Sequence, residues 1–203
     1  MNYYHKVPLI LLAAGESKRM GTPKQLLQYR ERSLIRHAAT TAIASICEPI
    51  IVVLGANSDR LTREIYDLSV DITYNSGWQQ GMSTSIATGI NTLLKMNVDL
   101  DAVVVALADQ PLITHRVYNC LIESYYQNPV KAVACDYSDT IGVPALFDRT
   151  LLPKLLNMNH QGGAKQILNR YSERAFNLDL PEAAIDIDTP ADYQKLLKIN
   201  KQF

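Results

Sequence analysis

Ala102-Val103-Val104-Val105-Ala106-Leu107 is apolar without a break and runs into Ala108-Asp109-Gln110-Pro111. A run of this kind predicts a strand buried on both faces. Two others precede it, Leu9–Ala13 and Ile50–Leu54, the second stopped by Gly55. Between them the period changes. Leu34, Ala38, Ala42 and Ile46 recur every four residues, flanked by Ile35, Ala39, Ile43 and Cys47, and Pro49 closes that helical face. Leu61, Ile65 and Leu68 predict a second helix capped by Ser58, Ile86, Ile90, Leu93 and Leu94 a third, and Val117, Leu121 and Tyr125 a fourth. Val70–Tyr74 and Lys131–Cys135 predict further strands. Apolar strands alternating with helices predict a three-layer α/β/α sandwich with a mainly parallel sheet and right-handed crossovers. Ligands in such sheets sit beyond the carboxyl ends of the strands. That points to the residues after Ala13, Tyr74 and Leu107.

Past residue 136 the pattern loosens. Pro144 predicts that Gly142–Phe147 is an edge strand or a loop. Leu151/Leu155 and Ala164/Ile167/Leu168/Tyr171 predict two short helices, and Phe176, Leu178 and Leu180 a strand. Thr189-Pro190 opens a last helix, with the hydroxyl as N-cap and proline at the first helical position. With no repeat and no linker, residues 1–203 are expected to form one domain.

Charge and cysteine usage narrow the function classes. Lys+Arg and Asp+Glu are 20 each, which speaks against a nucleic-acid or anionic-membrane surface. The run Val7–Ala14 resembles a signal core in length, but Pro8 interrupts it and Glu16, Lys18 and Arg19 follow at once. A cytoplasmic protein with no membrane span is expected. Cys47, Cys120 and Cys135 form no C-x-x-C and no even set, and read as reduced, buried thiols. His5, His37, His115 and His160 show no zinc-ligand spacing.

The loop after the first strand carries the chemistry. It reads Leu12-Ala13-Ala14-Gly15-Glu16-Ser17-Lys18-Arg19-Met20-Gly21-Thr22-Pro23-Lys24. Ala13, Ala14 and Gly15 are small enough for a ligand to approach the backbone, and free N–H groups there would cradle an anion. Arg19 can grip a phosphate in bidentate fashion and Lys24 can serve as a point charge. Both are expected to stand on an exposed loop. The loop implies a polyphosphate, yet Gly15 and Gly21 fit neither the P-loop nor the dinucleotide fingerprint. Asp109, just past the strongest strand, is a carboxylate that needs a cation or donors if it is buried. Asp186 and Asp188 alternate and so share one face of an extended segment.

The stretch L-A-A-G-x-S-x-R-M-G-x-P-K resembles the signature of the Rossmann-like nucleotidyltransferases, and among them the molybdenum cofactor cytidylyltransferases and their close relatives. Gly77-Trp78-Gln79-Gln80-Gly81-Met82-Ser83-Thr84-Ser85, Ala108-Asp109-Gln110-Pro111, Gly142-x-Pro144-x-x-Phe147 and Asp186-Ile187-Asp188-Thr189-Pro190 resemble that group's later motifs. The resemblance implies a nucleoside triphosphate and Mg²⁺ (or Mn²⁺) as ligands, with Arg19, Lys24 and Asp109 as catalytic residues. It places Ala13, Ala14, Gly15, Arg19, Lys24, Gly81 and Ser85 at the nucleotide. Asp109 would be the principal metal ligand and Asp186 the second. Asp188 is either that second ligand or an acceptor for the turn into Thr189-Pro190. Trp78 reads as a buried aromatic more readily than as a stacking platform.

The implied reaction moves CMP from CTP to the terminal phosphate of molybdenum-loaded molybdopterin. A molybdenum hydroxylase or its chaperone would be the downstream partner. Relatives often read G-H-P and G-D-x-G-A where this chain has Gly142-Val143-Pro144 and His160-Gln161-Gly162-Gly163-Ala164. The acceptor side therefore departs from the pattern. A sugar-phosphate or polyol-phosphate acceptor, or a non-catalytic cofactor carrier, stays open beside the leading reading.

Overall fold

The computed structural model describes residues 6–137, 141–158, 163–171, 175–179 and 186–200. The strands are β1 (Leu9–Ala13), β2 (Gln28–Tyr29), β3 (Arg32–Ser33), β4 (Ile50–Leu54), β5 (Asp71–Tyr74), β6 (Ala102–Leu107), β7 (Ala132–Asp136), β8 (Ile141–Asp148) and β9 (Ala175–Asp179). The helices are α1 (Leu34–Ile43), α2 (Ser58–Ile65), α3 (Met82–Lys95), α4 (His115–Gln127), α5 (Leu152–Leu156), α6 (Gly163–Arg170) and α7 (Pro190–Asn200). Seven strands form one sheet in the order β5-β4-β1-β6-β8-β7-β9, while β2 and β3 make a separate ribbon. Only β8 runs against the rest, antiparallel to β6 and β7.

Burial follows the pleat. Leu9, Leu11 and Ala13 of β1 face α1, α2 and α4, in a cluster with Ile35, Leu61 and Leu121. Ile10 and Leu12 face α3, α5 and α6, in a cluster with Ile86, Ile90 and Leu155. These are the two helical layers that the apolar strands require. Helix α3 lies so close to β1 that a Cβ on Gly89 would fall 2.5 Å from Ile10 Cγ2. Helix α7 is capped as expected: Thr189 Oγ1 accepts from Asp192 N at 3.3 Å, and Asp192 accepts from Thr189 N at 2.9 Å.

The structure corrects several sequence expectations. Segment β8 is not an edge strand but lies between β6 and β7. Pairing jumps from Ala134↔Ala145 to Cys135↔Gly142, so Val143 and Pro144 are extruded in a bulge where no ladder N–H is needed. Ser58 is the first residue of α2, and Asn57 holds the N-cap position in a left-handed conformation. Helix α1 stops at Ile43, which leaves Ile46 exposed. Cys120 is exposed, unlike Cys47 and Cys135. Burial pushes the Cys47 thiol up to about 11 and the Cys135 thiol to about 12. Leu180 and the residues His160, Gln161 and Gly162 lie outside the described residues. No helix among those described is long and apolar enough to cross a membrane.

A third, smaller cluster builds the site. Met20 from the loop after β1, Tyr29 of the ribbon, Leu34, Ile187 and Leu196 of α7 pack together. Ile187 is fully buried, and its N–H donates to Asp109 O at 3.0 Å. The last segment is thereby fastened to the end of β6, beside the loop after β1.

Candidate active site

A cleft of about 490 Å³ opens at the carboxyl ends of β1 and β6. Its walls include Ala13, Ala14, Gly15, Arg19, Lys24, Gly81, Ser85, Asp109, Asp186 and Asp188. The structure thus gathers all the residues named from sequence as nucleotide or metal contacts, drawn from four separate stretches of chain. Asp186 and Asp188 both reach the cleft because Ile187 between them points into the third cluster.

The loop after β1 is shaped by a buried polar network. Ser17 takes a left-handed conformation, and Lys18–Met20 then make one tight turn that Gly21 closes, also left-handed. Gln25 is 3% exposed and donates through Nε2 to Gly15 O at 2.9 Å. Ser17 Oγ donates to Gln25 Oε1 at 3.2 Å and accepts from Lys24 N at 3.2 Å. This network turns Lys24 inward. Its side chain is 13% exposed, so it does not stand on an exposed loop, whereas Arg19 at 71% does.

Lys24 Nζ contacts Asp109 and lies 2.8 Å from Asp188 Oδ1. Arg19 Nη2 lies 2.7 Å from Asp188 Oδ2. Asp188 is therefore an ion-pair partner for both cations, and the turn into α7 takes its acceptor from Asp192 instead. Burial is the largest single effect and works against charge on Lys24, but the Asp109 and Asp188 carboxylates together outweigh it and hold the ammonium above its ordinary value. Burial likewise opposes charge on Asp188, and the bonds and charges of Lys24 and Arg19 hold its carboxyl below the ordinary range.

Asp186 behaves in the opposite way. Burial first, then the neighbouring Asp109 charge, pushes its carboxyl up to about 6 although part of its surface opens to the cleft. Gln110 is 6% exposed and donates through Nε2 to Asp186 Oδ1 at 3.0 Å and to Val143 O at 3.1 Å. Asp109 Oδ1 is buried and has no hydrogen-bond partner among the described residues. An orphaned carboxylate oxygen beside a second carboxylate fits a hard divalent cation. Among the described residues no group of three or more His, Cys, Asp or Glu could ligate a metal by itself. Two carboxylates completed by phosphate and water is the pattern typical of Mg²⁺.

The opposite wall comes from the end of β5 and the start of α3. Asn75 is buried and donates to Thr84 Oγ1 at 2.8 Å and to Ser85 Oγ at 2.9 Å, while its Oδ1 accepts from Gly77 N at 2.9 Å. It fixes the Gly77–Ser85 loop and orients the Ser85 hydroxyl. Trp78 is half-buried and lines the cleft instead of the core. A Cβ on Gly55 would fall 2.8 Å from both Trp78 Cβ and Ala14 O, and 2.9 Å from the Ala14 methyl. That methyl consequently lies against Gly55, and Ala14 is 6% exposed.

Asn75, Gln25, Ser17 and His37 were missed by sequence reasoning. Asn75 follows Tyr74 at a strand end, so the rule about carboxyl ends was a signal for it. His37 bonds to Pro111 O at 3.0 Å and steadies the turn after Asp109. Nothing in its sequence context marks it.

The model of the MobA-like NTP transferase domain matches residues 9–175. The chain is 29% identical over 197 residues to the nicotine blue oxidoreductase of Paenarthrobacter nicotinovorans, covering 93% of this chain and 95% of that one. It is 26% identical over 197 residues to a probable molybdenum cofactor guanylyltransferase of Carboxydothermus hydrogenoformans, covering 93% and 94%. It is 22% identical over 188 residues to the molybdenum cofactor cytidylyltransferase of Escherichia coli, covering 92% and 93%. Among solved structures, Rv0371c of Mycobacterium tuberculosis in complex with manganese superposes with a TM-score of 0.78 at 22% identity, over 95% of this chain and 98% of that one. The chain belongs to the MobA-like NTP transferase domain family, which groups it with the nucleotidyltransferases of molybdenum cofactor synthesis.

Proposed function

We propose that the protein transfers CMP from CTP to the terminal phosphate of molybdenum-loaded molybdopterin, releasing pyrophosphate. The observation that carries this reading is the meeting of Lys24 and Arg19 with Asp109 and Asp186 in one cleft at the strand ends. Cations facing paired carboxylates are the chemistry of a metal-bound triphosphate. An acceptor-phosphate oxygen attacks the α-phosphorus of CTP, a new P–O bond forms, and the bond to the pyrophosphate oxygen breaks. The acceptor phosphate is already anionic at neutral pH, so no protein base is needed. Lys24 and Arg19 hold the triphosphate and stabilise charge as it builds on the leaving group. Asp109 and Asp186 would hold Mg²⁺, which when bound orients the triphosphate and neutralises charge on the departing pyrophosphate. The manganese complex of the structural neighbour supports divalent metal use, with Mn²⁺ as an alternative ion.

The cytidylyltransferase and guanylyltransferase relatives support the same transfer with different bases. Ala14 stands where related GMP-transferring enzymes typically carry a second glycine, and the choice of CTP follows that resemblance, since the methyl itself packs on Gly55. The likeness to a protein named as an oxidoreductase covers 93% of the chain, whereas the cleft carries side chains suited to phosphate transfer. Pyrophosphate release with CTP or GTP against a panel of acceptors tests the proposal. Turnover with CTP and molybdenum-loaded molybdopterin is expected. Turnover with a sugar phosphate or polyol phosphate alone would reassign the acceptor, and no release with any acceptor would leave a cofactor carrier.

A further inference from the structure

The cleft has two unlike ends. Strands β4 and β6 flank β1 on opposite sides. At the β6 end stand Asp109 and the Lys24 ammonium that pairs with it. At the β4 end the wall is Ala14 and Trp78, both packed on Gly55. A ligand with charge at one end and a flat heterocycle at the other fits that division. Past the β4 end lies a second hollow of about 400 Å³, lined in part by Gly21, Pro23, Ala56 and Asn57. The two hollows share Glu16, Ser17, Lys18 and Trp78 as their partition. Glu16 and Lys18 pair at 3.3 Å and lean into solvent, with side chains 45% and 81% exposed. Ser17 is committed to Gln25 and Lys24. Trp78 therefore supplies the bulk of the partition.

We propose that Trp78 is the residue that sets base size, a wall that stops a two-ring base from running on into the second hollow. This inference rests on the nucleotidyl-transfer reading. The indole has no room to retreat toward the sheet, because a Cβ on Gly55 would already fall 2.8 Å from Trp78 Cβ. Its backbone is held as well. Gln80 N donates to Gly77 O at 2.9 Å, Gly81 N donates to Trp78 O at 3.1 Å, and Asn75 Oδ1 accepts from Gly77 N at 2.9 Å. A purine at the β4 end meets a fixed ring, whereas a pyrimidine ends before it. Selection of this kind works by a clash with the wrong ligand, and so does not need extra bonds to the right one. Removing the indole joins the two hollows and gives the second ring a place.

Calorimetric titration in excess Mg²⁺ tests this with CTP, GTP and inorganic tripolyphosphate. The wild type is expected to favour CTP over GTP by at least about tenfold, the scale of a steric misfit in a packed pocket. Trp78→Ala, with the bulkier Trp78→Leu as a second variant, should cut that ratio to about threefold or less, mainly by a gain in GTP affinity. Trp78→Phe keeps a ring and should keep most of the preference. Tripolyphosphate has no base, and its affinity should not change in any variant. Trp78 is the one tryptophan of the chain, so its emission reports directly on the β4 end. CTP should alter that emission and tripolyphosphate should not. An unchanged ratio in both the Ala and Leu variants overturns the proposal, as does wild type with no preference or an emission that ignores CTP. A loss of tripolyphosphate affinity in both variants would make Trp78 a support of the phosphate loop and overturns it too. Wild type that prefers CTP while the variants keep the ratio leaves the nucleotidyl-transfer reading standing. Wild type that binds neither nucleotide removes both.

Discussion

Replacing Lys24 separates its structural role from the phosphate-binding role proposed for it. The Lys24 side chain is 13% exposed, and the carboxylates it joins are 17% (Asp109) and 33% (Asp188) exposed. Lys24→Ala leaves these two side by side, with Asp186 nearby. Removing one partner of a buried ion pair costs roughly 3–5 kcal/mol. Asp188 keeps Arg19 and some solvent, which lowers the expected loss to about 2–4 kcal/mol at pH 7.5. For a chain of this size each kcal/mol moves Tm by roughly 2–4 °C, so Tm should fall by about 5–12 °C. Lys24→Met keeps most of the aliphatic stem and should show most of the same fall, since the loss is one of charge. Arg19→Ala, at 71% exposed, should move Tm by less than about 2 °C.

The pH dependence has a definite sign. Lys24 and Arg19 hold the Asp188 carboxyl low against the opposing effect of burial. The stability they give is present above the unfolded carboxylate value of about 4 and is lost as pH falls through the lower native value. Differential scanning fluorimetry should therefore show the full gap between wild type and Lys24→Ala at pH 7.5, narrowing toward pH 4 and below. Mg²⁺ should restore part of the loss by compensating the exposed carboxylates. A Lys24→Ala protein that melts within about 1 °C of wild type at pH 7.5 would refute the argument, as would a gap that stays constant down to about pH 2. In turnover, Lys24→Ala and Arg19→Ala should each lose roughly 2–4 kcal/mol of transition-state stabilisation. Only the first should also be unstable.

Turnover of CTP should require Mg²⁺ or Mn²⁺, and Asp109→Asn should slow it about 100-fold or more; undiminished rates in EDTA would remove Asp109 from the site. CTP should be preferred over GTP by at least about tenfold in kcat/KM, or roughly 1.4 kcal/mol, and competition kinetics giving equal use of both bases by the wild type would sink the cytidine assignment. Ala14→Gly should change that ratio little, because the methyl packs on Gly55. Asn75→Ala should raise KM for the nucleotide several-fold while kcat changes less, because Asn75 holds Ser85 at 2.9 Å and does not itself line the cleft; an effect on kcat alone, measured by steady-state kinetics, would contradict this.

The central strands were legible because burial on both faces leaves a simple trace. Ala102–Leu107 and Ile50–Leu54 have no solvent side, so no polar residue interrupts them. The antiparallel β8 was not legible. Pro144 forbids a regular central strand, and what rescues it is a bulge opposite Ala134 and Cys135, a feature of pairing that the local sequence does not carry. The gathering of Arg19, Lys24 and the small residues before them in one cleft was legible from their closeness in one loop. The depth of Lys24 was not, because a lysine reads as solvated until its partners are known, and one of them lies 164 residues away.

The same separation explains why Asp186 and Asp188 could be placed on one face but not told apart. Alternation specifies direction and nothing about the neighbours. Their environments diverge through contacts from other segments: Gln110 and Asp109 reach Asp186, while Lys24 and Arg19 reach Asp188. One carboxyl is pushed up and the other down, although only Ile187 separates them in sequence. The first is left in need of a cation from outside, and the second already has two from the chain itself.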